Sequence, residues 1–310
     1  MTRTAKTTKN RMRRIRGTRP RVSPELIADL AHRLTGRDRA VLELVWEHRV
    51  LTTHQITEIV FHNPHKARHR LLELKQLSAL ARFQPWAPVG SEPMHWVLGP
   101  AGAHILAAQR GIDVTELGYR HDTTLAISHS VKLAHQVGVN DFFAKLHAYA
   151  RRRSDDAAVT QWWPERRCAA LWADLARPDA YGRWAEPTPD GRLAEVDFFL
   201  EHDTGSETLS LVAGKLSGYA ALAEATGIST PVLFWLPSQA REINLRKVVG
   251  IPEVPVATAV QTPGTALEGP AGCVWLPLGS TGPRRRLIDL VDAWPSAGPR
   301  LHGPDHTKAR

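Results

Sequence analysis

The spacing of apolar residues divides the chain into two structural units. In the first unit, residues 34–111, apolar positions recur with helical periodicity and predict three successive helices. Their inner faces carry Val41, Leu44 and Val45, then Ile56, Ile59 and Val60, and then Ala67, Leu71 and Leu74. Two strand-like runs, 80–86 and 94–98, are joined by a turn at 89–93, and Gly99-Pro100 opens a further helix. This order of elements is typical of a winged helix-turn-helix.

Polar residues at the helix starts support this interpretation. Thr52 and Gln55 fit a capping box, and Asn63-Pro64 places an N-cap asparagine before a proline at the first position of the third helix. The outer face of that helix is basic and rich in imidazole, with His65, Lys66, His69 and Arg70. Such a face is typical of a helix that contacts DNA, at phosphates or at base edges. Winged helices also serve as protein–protein modules, and that alternative stays open.

The second unit, residues 123–294, is expected to follow a linker at 112–122. Its pattern predicts a long helix over 123–153, with Val139, Phe142, Phe143 and Leu146 on the inner face. Later elements are a strand at 161–165, a hairpin turning at Pro189-Asp190-Gly191, a helix over 207–223, a buried strand at 231–237, a helix to about Val249, strands at 254–259 and 273–278, and a terminal helix at 287–294. Strand, helix and strand in succession predict a right-handed crossover and a parallel pair. Residues 295–310 are expected to form a disordered tail.

Composition is compatible with a two-domain globular protein of the cytoplasm. The chain has 310 residues, and its hydrophobic content of 43% is ordinary for a soluble protein. No run approaches the ~18 apolar residues of a membrane span. The two cysteines, Cys168 and Cys273, are isolated and form neither a zinc cluster nor a disulfide framework. The chain lacks a phosphate-binding Gly-x-x-x-x-Gly-Lys-Ser/Thr loop and a Gly-x-Ser-x-Gly elbow, which argues against nucleotide hydrolysis and serine-hydrolase chemistry.

The net charge of +9 originates in one segment. Residues 1–21 contain nine lysines and arginines and no acidic residue, and the remainder of the chain is balanced. We expect residues 1–33 to form a disordered basic arm whose Arg13, Arg14 and Arg16 contact the phosphate backbone of double-stranded DNA. A tail that only promotes solubility is an equally simple interpretation.

The predicted hairpin carries acidic residues at one end. The buried strand Val196–Leu200 leads into Glu201 and Asp203, whose side chains emerge on the same face because a strand has a period of two. Asp179, at the start of the partner strand, lies beside them across the hairpin. Three carboxylates form the kind of oxygen-rich site that Mg²⁺ prefers. Glu165 is a candidate for a further ligand, or else pairs with Arg166 or Arg167.

Lys215 borders the inner face of the following helix and is expected to lean toward these acids. An ammonium group beside metal-bound carboxylates can position a water molecule or stabilise developing charge on a phosphate. The alternative is a set of solvated acids with a lysine that extends into water.

The order Pro178-Asp179, hairpin, Glu201-His202-Asp203 resembles the core of the PD-(D/E)xK nuclease superfamily. The resemblance implies a restriction-endonuclease-like, three-layer α/β fold, metal-assisted hydrolysis of phosphodiesters, and Mg²⁺ held by Asp179, Glu201 and Asp203. The superfamily places a lysine where this chain has Asp203, and the nearest lysine is Lys215 on the next helix. The departure leaves open a nuclease fold without catalysis.

Taken together, the two units resemble the replication-relaxation family of actinobacterial plasmids and integrated mobile elements. Residues 34–111, Arg177-Pro178-Asp179, Glu201 to Gly205 and Lys215 to Tyr219 carry the resemblance. It implies an α+β, DNA-binding protein of plasmid replication and relaxation, with Asp179, Glu201, Asp203 and Lys215 as the catalytic set of a metal-dependent nickase and with replication or transfer proteins as partners. The alternatives are a non-catalytic DNA-binding or assembly protein and a winged-helix transcription regulator. The sequence leaves the oligomeric state open.

Overall fold

The computed structural model describes residues 22–153, 155–172, 174–188, 191–261 and 268–294. Within these ranges the α-helices are α1 Pro24–Arg33, α2 Gly36–Glu47, α3 Thr53–Val60, α4 Pro64–Gln76, α5 Pro100–Gln109, α6 His121–Ala126, α7 Leu133–Arg152, α8 Glu165–Trp172, α9 Leu209–Thr226 and α10 Gln239–Val249. The strands are β1 Leu51–Thr52, β2 Leu80–Phe83, β3 His95–Leu98, β4 Ala158–Pro164, β5 Ala180–Pro187, β6 Leu193–His202, β7 Val232–Leu236, β8 Val256–Val260 and β9 Leu276–Pro277. The chain is therefore a mixed α+β protein, as predicted.

The N-terminal unit contains four helices, a hairpin and a fifth helix around one core. Strands β2 and β3 pair antiparallel, and β1 adds to β3 to give the order β1-β3-β2. The predicted capping box at Thr52 and Gln55 begins α3. Asn63 caps α4, since its Oδ1 atom accepts the backbone N–H groups of His65 and Lys66. Local sequence signals thus fix where these two helices begin.

Three boundaries differ from the sequence prediction. The last part of the predicted arm, residues 24–33, forms α1, whose Leu30 is buried in the first core. The predicted linker 112–122 packs on that core through Leu117. The predicted helix 123–153 is wrong, because it is broken between α6 and α7. There the Ser130 side chain accepts the backbone N–H of Lys132, which competes with continued helical hydrogen bonding. The predicted tail at 295–310 and residues 1–21 lie outside the described residues.

The second unit is built on a mixed sheet with the order β4-β5-β6-β7-β8-β9. β5 and β6 form the predicted antiparallel hairpin, and β6, β7 and β8 run parallel as the crossover pattern predicts. Alternate residues face opposite layers: Phe198 packs toward α7, whereas Phe199 packs toward α9. Helices therefore cover both faces of the sheet.

Helix α7 also joins the two units. The Asn140 side chain donates to the backbone carbonyl of Val50 at 2.6 Å, and the Gln55 side chain donates to that of Val137 at 2.9 Å. The rings of His48 and Trp162 stack with centroids 3.4 Å apart. Polar and aromatic contacts therefore cross the boundary between the units at several points.

The two cysteines occupy opposite environments. Cys168 is buried beneath the sheet, where burial raises the pKa of its thiol to about 12, whereas Cys273 is exposed. Neither forms a disulfide. Across the described ranges, no helix combines the length and apolar character needed to cross a bilayer.

Gly138 of α7 is required by a close approach to His202. A Cβ atom at Gly138 would lie 2.4 Å from Cε1 and Nε2 of the buried His202 ring. We expect Gly138→Ala to lower the free energy of unfolding by about 1–3 kcal/mol in a urea titration, despite alanine's better helix propensity. Gly214→Ala in α9 is the matched control. Nothing lies within 4 Å of its Cβ position, and a gain of up to ~1 kcal/mol is expected. Equal stability of Gly138→Ala and the native chain would contradict this packing.

Candidate active site

The β5–β6 hairpin brings Asp179 and Glu201 together. Ala180 pairs with Leu200, so the preceding Asp179 lies opposite the following Glu201. The Asp179 Oδ2 atom accepts the backbone N–H of His202 at 2.8 Å, which ties it to the end of β6. The sheet register therefore positions both carboxyl groups at one end of the hairpin.

Helix α9 supplies the groups that contact Glu201. Lys215 Nζ lies 2.7 Å from Glu201 Oε2, and the Tyr219 hydroxyl donates a hydrogen bond to Oε1. Lys215 and Tyr219 are one helical turn apart and share the face toward the sheet. Glu201 is almost completely buried, whereas Lys215 retains about a third of its exposure and reaches solvent.

Asp203 lines the same cavity, but its carboxylate is bound by Arg241. Both Arg241 Nε and Nη2 donate to it, the latter at 3.0 Å, and the Gly205 N–H donates to Oδ1 at 2.7 Å. The sequence analysis did not identify Arg241. Arg241 lies in the first turn of α10, which follows β7, and the ends of β6 and β7 are adjacent because these strands are parallel. This placement is the sequence signal that could have predicted the contact between Arg241 and Asp203.

His135 is a second residue that the sequence did not identify. Its Nε2 atom lies 3.1 Å from Asp179 Oδ1, and its ring contacts the edge of His202. The predicted long helix contains His129, His135 and His147, and helical spacing alone does not distinguish His135 from the other two. His135 lies in the first turn of α7, which begins next to the end of the sheet that carries Asp179, so this histidine contacts Asp179.

These groups surround one cavity of about 820 Å³. Its charged and polar lining includes Lys132, His135, Glu165, Arg177, Asp179, Glu201, His202, Asp203, Glu207, Lys215 and Tyr219. Glu165 thus lies with the other acids. Lys132 and Arg177 are exposed at its rim. The cavity combines buried acids with cationic groups that are open to solvent, a distribution suited to an anionic substrate.

The acids differ in their affinity for protons. Burial, together with the charge of Asp179, raises the pKa of Glu201 to about 8, although Lys215 and Tyr219 offset part of this effect. Burial also disfavours ionisation of Asp179, but His135, Lys215 and the His202 N–H outweigh it and lower the pKa of Asp179. Burial alone would lower the pKa of Lys215, but the nearby carboxyl groups of Glu201 and Asp179 outweigh burial and raise it. Asp179 is consequently an anion and Lys215 a cation at neutral pH.

The raised pKa of Glu201 predicts a pH-dependent cost in stability. The folded state keeps a proton that the unfolded chain loses above its usual pKa of 4.5, so stability falls as the pH rises from about 4.5 to 8 and then levels off. We expect Glu201→Gln, in metal-free buffer, to be more stable than the native chain by on the order of 2–4 kcal/mol at pH 8.5, with a smaller difference at pH 5. Urea titrations at both pH values measure this. Glu224→Gln, which changes an exposed acid on α9, should show no such trend.

The donor groups are partly suited to Mg²⁺. No group of three or more His, Cys, Asp or Glu side chains in the described part of the chain is arranged to hold a metal ion. Mg²⁺, however, is usually bound through one or two carboxylates, with water and substrate phosphate completing the octahedron. Asp179 and Glu201 provide two such carboxylates in one cavity, whereas Asp203 is occupied by Arg241. The residues present therefore fit a site with two protein ligands.

Helix α4 presents most of the predicted DNA-contacting residues to solvent. His65, Lys66 and His69 are exposed, and Arg68, which the sequence analysis passed over, is exposed beside them. Arg70 instead turns inward: its Nε lies 2.8 Å from Asp38 Oδ1, and its Nη1 lies 2.6 Å from Glu73 Oε2. Arg70 adjoins Leu71 and lies one turn from Ala67 and Leu74, so its proximity to the buried stripe was visible in the sequence. Arg13, Arg14 and Arg16 lie outside the described residues.

Fold and cavity define a two-unit α+β protein with a buried acidic cavity at the end of a β-hairpin. Residues 42–233 match the sequence profile of the family described as replication-relaxation, and the chain belongs to this family. The match includes the cavity acids and Lys215 and ends before Arg241. Membership points to a role in plasmid replication and relaxation. Neither the curated proteins nor the solved structures contain a match.

Proposed function

We propose that the chain is a DNA-binding protein of plasmid or mobile-element replication, with a metal-dependent nicking activity in its second unit. The observation that carries the proposal is the meeting of Asp179 and Glu201 in one cavity, with Lys215 Nζ at 2.7 Å from Glu201. Acids from adjacent strands with a neighbouring ammonium group are the elements that a PD-(D/E)xK nuclease needs. The chain's placement in the replication-relaxation family supports DNA as the substrate.

In this proposal, Asp179 and Glu201 would hold Mg²⁺, which supplies an acidified water and a counter-charge for the phosphate. The exposed Lys132 and Arg177 at the rim bind the incoming phosphate backbone. Lys215 stays protonated and would face the phosphate oxygens, where negative charge grows as water adds to phosphorus and one P–O ester bond breaks. The attacking water would lose its proton to solvent, and the leaving oxygen would take up a proton from solvent. Tyr219 and Arg241 hold Glu201 and Asp203 in place and exclude water from the inner wall.

The N-terminal unit would supply the affinity for double-stranded DNA. The succession of helices and the three-stranded antiparallel sheet support the proposal of a winged helix, in which α4 would be the second helix of the helix-turn-helix. Its exposed His65, Lys66, Arg68 and His69 would enter the major groove, and the basic arm would add phosphate contacts. The number of these contacts predicts steep salt dependence of binding.

A second candidate is a nuclease fold that binds or assembles on DNA without cutting it. One observation favours it: Asp203 is neutralised by Arg241, and Glu201 by Lys215 and Tyr219, so the site is electrostatically satisfied by the protein itself. Replication or transfer proteins would then provide the strand cleavage.

Incubation of supercoiled plasmid with the purified chain tests the proposal. We expect open circles in Mg²⁺ or Mn²⁺ and none in EDTA, with DNA retained by the protein in both conditions. Binding without open circles would support the non-catalytic candidate. Absence of both binding and nicking would contradict both candidates.

A further inference from the structure

Helix α7 contacts both the acidic cavity and the turn that precedes α4. At its N-terminal end His135 lies 3.1 Å from Asp179, and at its C-terminal end Arg151 reaches the segment between α3 and α4. Sixteen residues separate His135 from Arg151 in the sequence, which corresponds to about 24 Å along a helix axis. One rigid element therefore extends from the cavity to the helix-turn-helix.

Arg151 binds the C-terminal end of α3 through both terminal nitrogens of its guanidinium, whereas its buried Nε has no hydrogen-bond partner among the described residues. Nη1 donates to the carbonyl of Thr57 at 3.0 Å and to that of Glu58, and Nη2 donates to the carbonyl of Phe61. Nη2 also lies 3.1 Å from His62 Nδ1. The last carbonyls of a helix mostly lack a backbone partner, and Arg151 supplies donors to them here. The Thr57 carbonyl also accepts the backbone N–H of Phe61, so Arg151 is its second donor.

The bound segment sets the direction of α4. Phe61 and His62 directly precede Asn63, whose side chain caps the first turn of α4. The other end of α3 is held by the same helix α7, through the Gln55 hydrogen bond to Val137 at 2.9 Å. Helix α3 is thus held at both ends, and the angle at which α4 leaves the turn is fixed relative to α7 and the cavity.

We propose that Arg151 is a positioning residue through which the second unit orients α4, so that the DNA-facing helix and the Asp179–Glu201 cavity keep one fixed separation. That α4 contacts DNA rests on the proposed function, whereas the role of Arg151 in orienting α4 does not. An arginine is required because one side chain must donate to several separated carbonyls at once. The planar guanidinium has donors far enough apart to do so, whereas a lysine has a single compact ammonium group.

Amide hydrogen exchange tests the structural part in the absence of DNA. In Arg151→Met and Arg151→Lys we expect exchange of residues 61–68 to accelerate roughly tenfold or more, with α9 unchanged. Lys145→Met is the matched control, because Lys145 lies on α7 in an exposed pair with Asp141. It should exchange like the native chain. Unchanged exchange of residues 61–68 in Arg151→Met would overturn the proposal, as would full rescue by lysine.

Binding to a fluorescently labelled fragment of the plasmid separates positioning from general instability. We expect Kd to rise about tenfold in Arg151→Met with the active fraction and the salt slope unchanged, because the same phosphates are contacted by a less ordered helix. A lower active fraction with native Kd would indicate unfolding alone and overturn the positioning role. If the native chain fails to bind the fragment, the proposed function is refuted, and hydrogen exchange still decides the role of Arg151.

Discussion

Glu201→Gln should reduce metal-dependent nicking of supercoiled plasmid by roughly 10²–10³-fold, since it removes the carboxyl group that would release its proton to bind Mg²⁺ and that holds Lys215 in place. Glutamine keeps the shape of the side chain and a hydrogen-bond acceptor for Tyr219, so the cavity should retain its structure. The rate of open-circle formation at a fixed Mg²⁺ concentration measures the effect. Asp179→Asn is expected to act similarly, because it removes the other carboxylate at the hairpin end.

Two further measurements make this result specific. The affinity of each variant for plasmid DNA should stay within about twofold of the native value. The proposed DNA contacts are made by α4 and the basic arm, and neither acid belongs to these elements. Glu224→Gln, an exposed change on α9 outside the cavity, should nick at the native rate. Native nicking by Glu201→Gln would place the activity elsewhere in the chain or in a contaminant. Loss of DNA affinity along with nicking would instead indicate that the acids act by supporting the fold.

Arg70→Met should lower the free energy of unfolding by about 2–4 kcal/mol, the largest stability loss that we expect from a single charged residue of α4. Asp38 is buried at 1% exposure and receives Arg70 Nη2 at 2.7 Å, so removal of the guanidinium leaves a buried carboxylate with only Thr35 as a partner. Urea titration at pH 7 measures the loss. Protonation of Asp38 relieves the unpaired charge, so the difference between variant and native chain should narrow below pH 4.

Arg68 provides the matched comparison on the same helix. Because its side chain is exposed, Arg68→Met should change stability by less than ~0.5 kcal/mol. It should weaken DNA binding and reduce the salt slope by about 1, as expected for a lost phosphate contact. The reverse outcome, a stable Arg70→Met that binds DNA poorly and an unstable Arg68→Met, would show that the inward and outward faces of α4 are assigned incorrectly.

Much of the fold was predictable because local signals and burial agree. The capping residues Thr52 and Asn63 mark helix starts, and the apolar run Val196–Leu200 marks the buried strand that leads to Glu201. The crossover rule then gave the parallel pairing of β6 and β7. Apolar spacing does not predict the break before α7, which the extended backbone of Ser130 and its side-chain hydrogen bond to the N–H of Lys132 produce.

The sequence predicts only those site residues whose positions follow from strand pairing or helical periodicity. The hairpin register places Asp179 opposite Glu201, and helical periodicity turns Lys215 toward the sheet. Arg241 and His135 come from elements whose packing the sequence pattern does not specify, so their contacts with Asp203 and Asp179 were not visible. The sequence places Arg70 beside the buried stripe of α4, but it does not reveal the contact with Asp38, because Asp38 lies 32 residues earlier in the chain.

The contrast between the two cysteines has a practical consequence. Cys168 is enclosed with a thiol pKa near 12, so a maleimide dye at neutral pH should couple to Cys273 alone. The unmodified sequence thus offers a single attachment point for a fluorophore. Energy transfer from that dye to one placed along a DNA duplex would report where the second unit sits on its substrate, without any substitution in the protein.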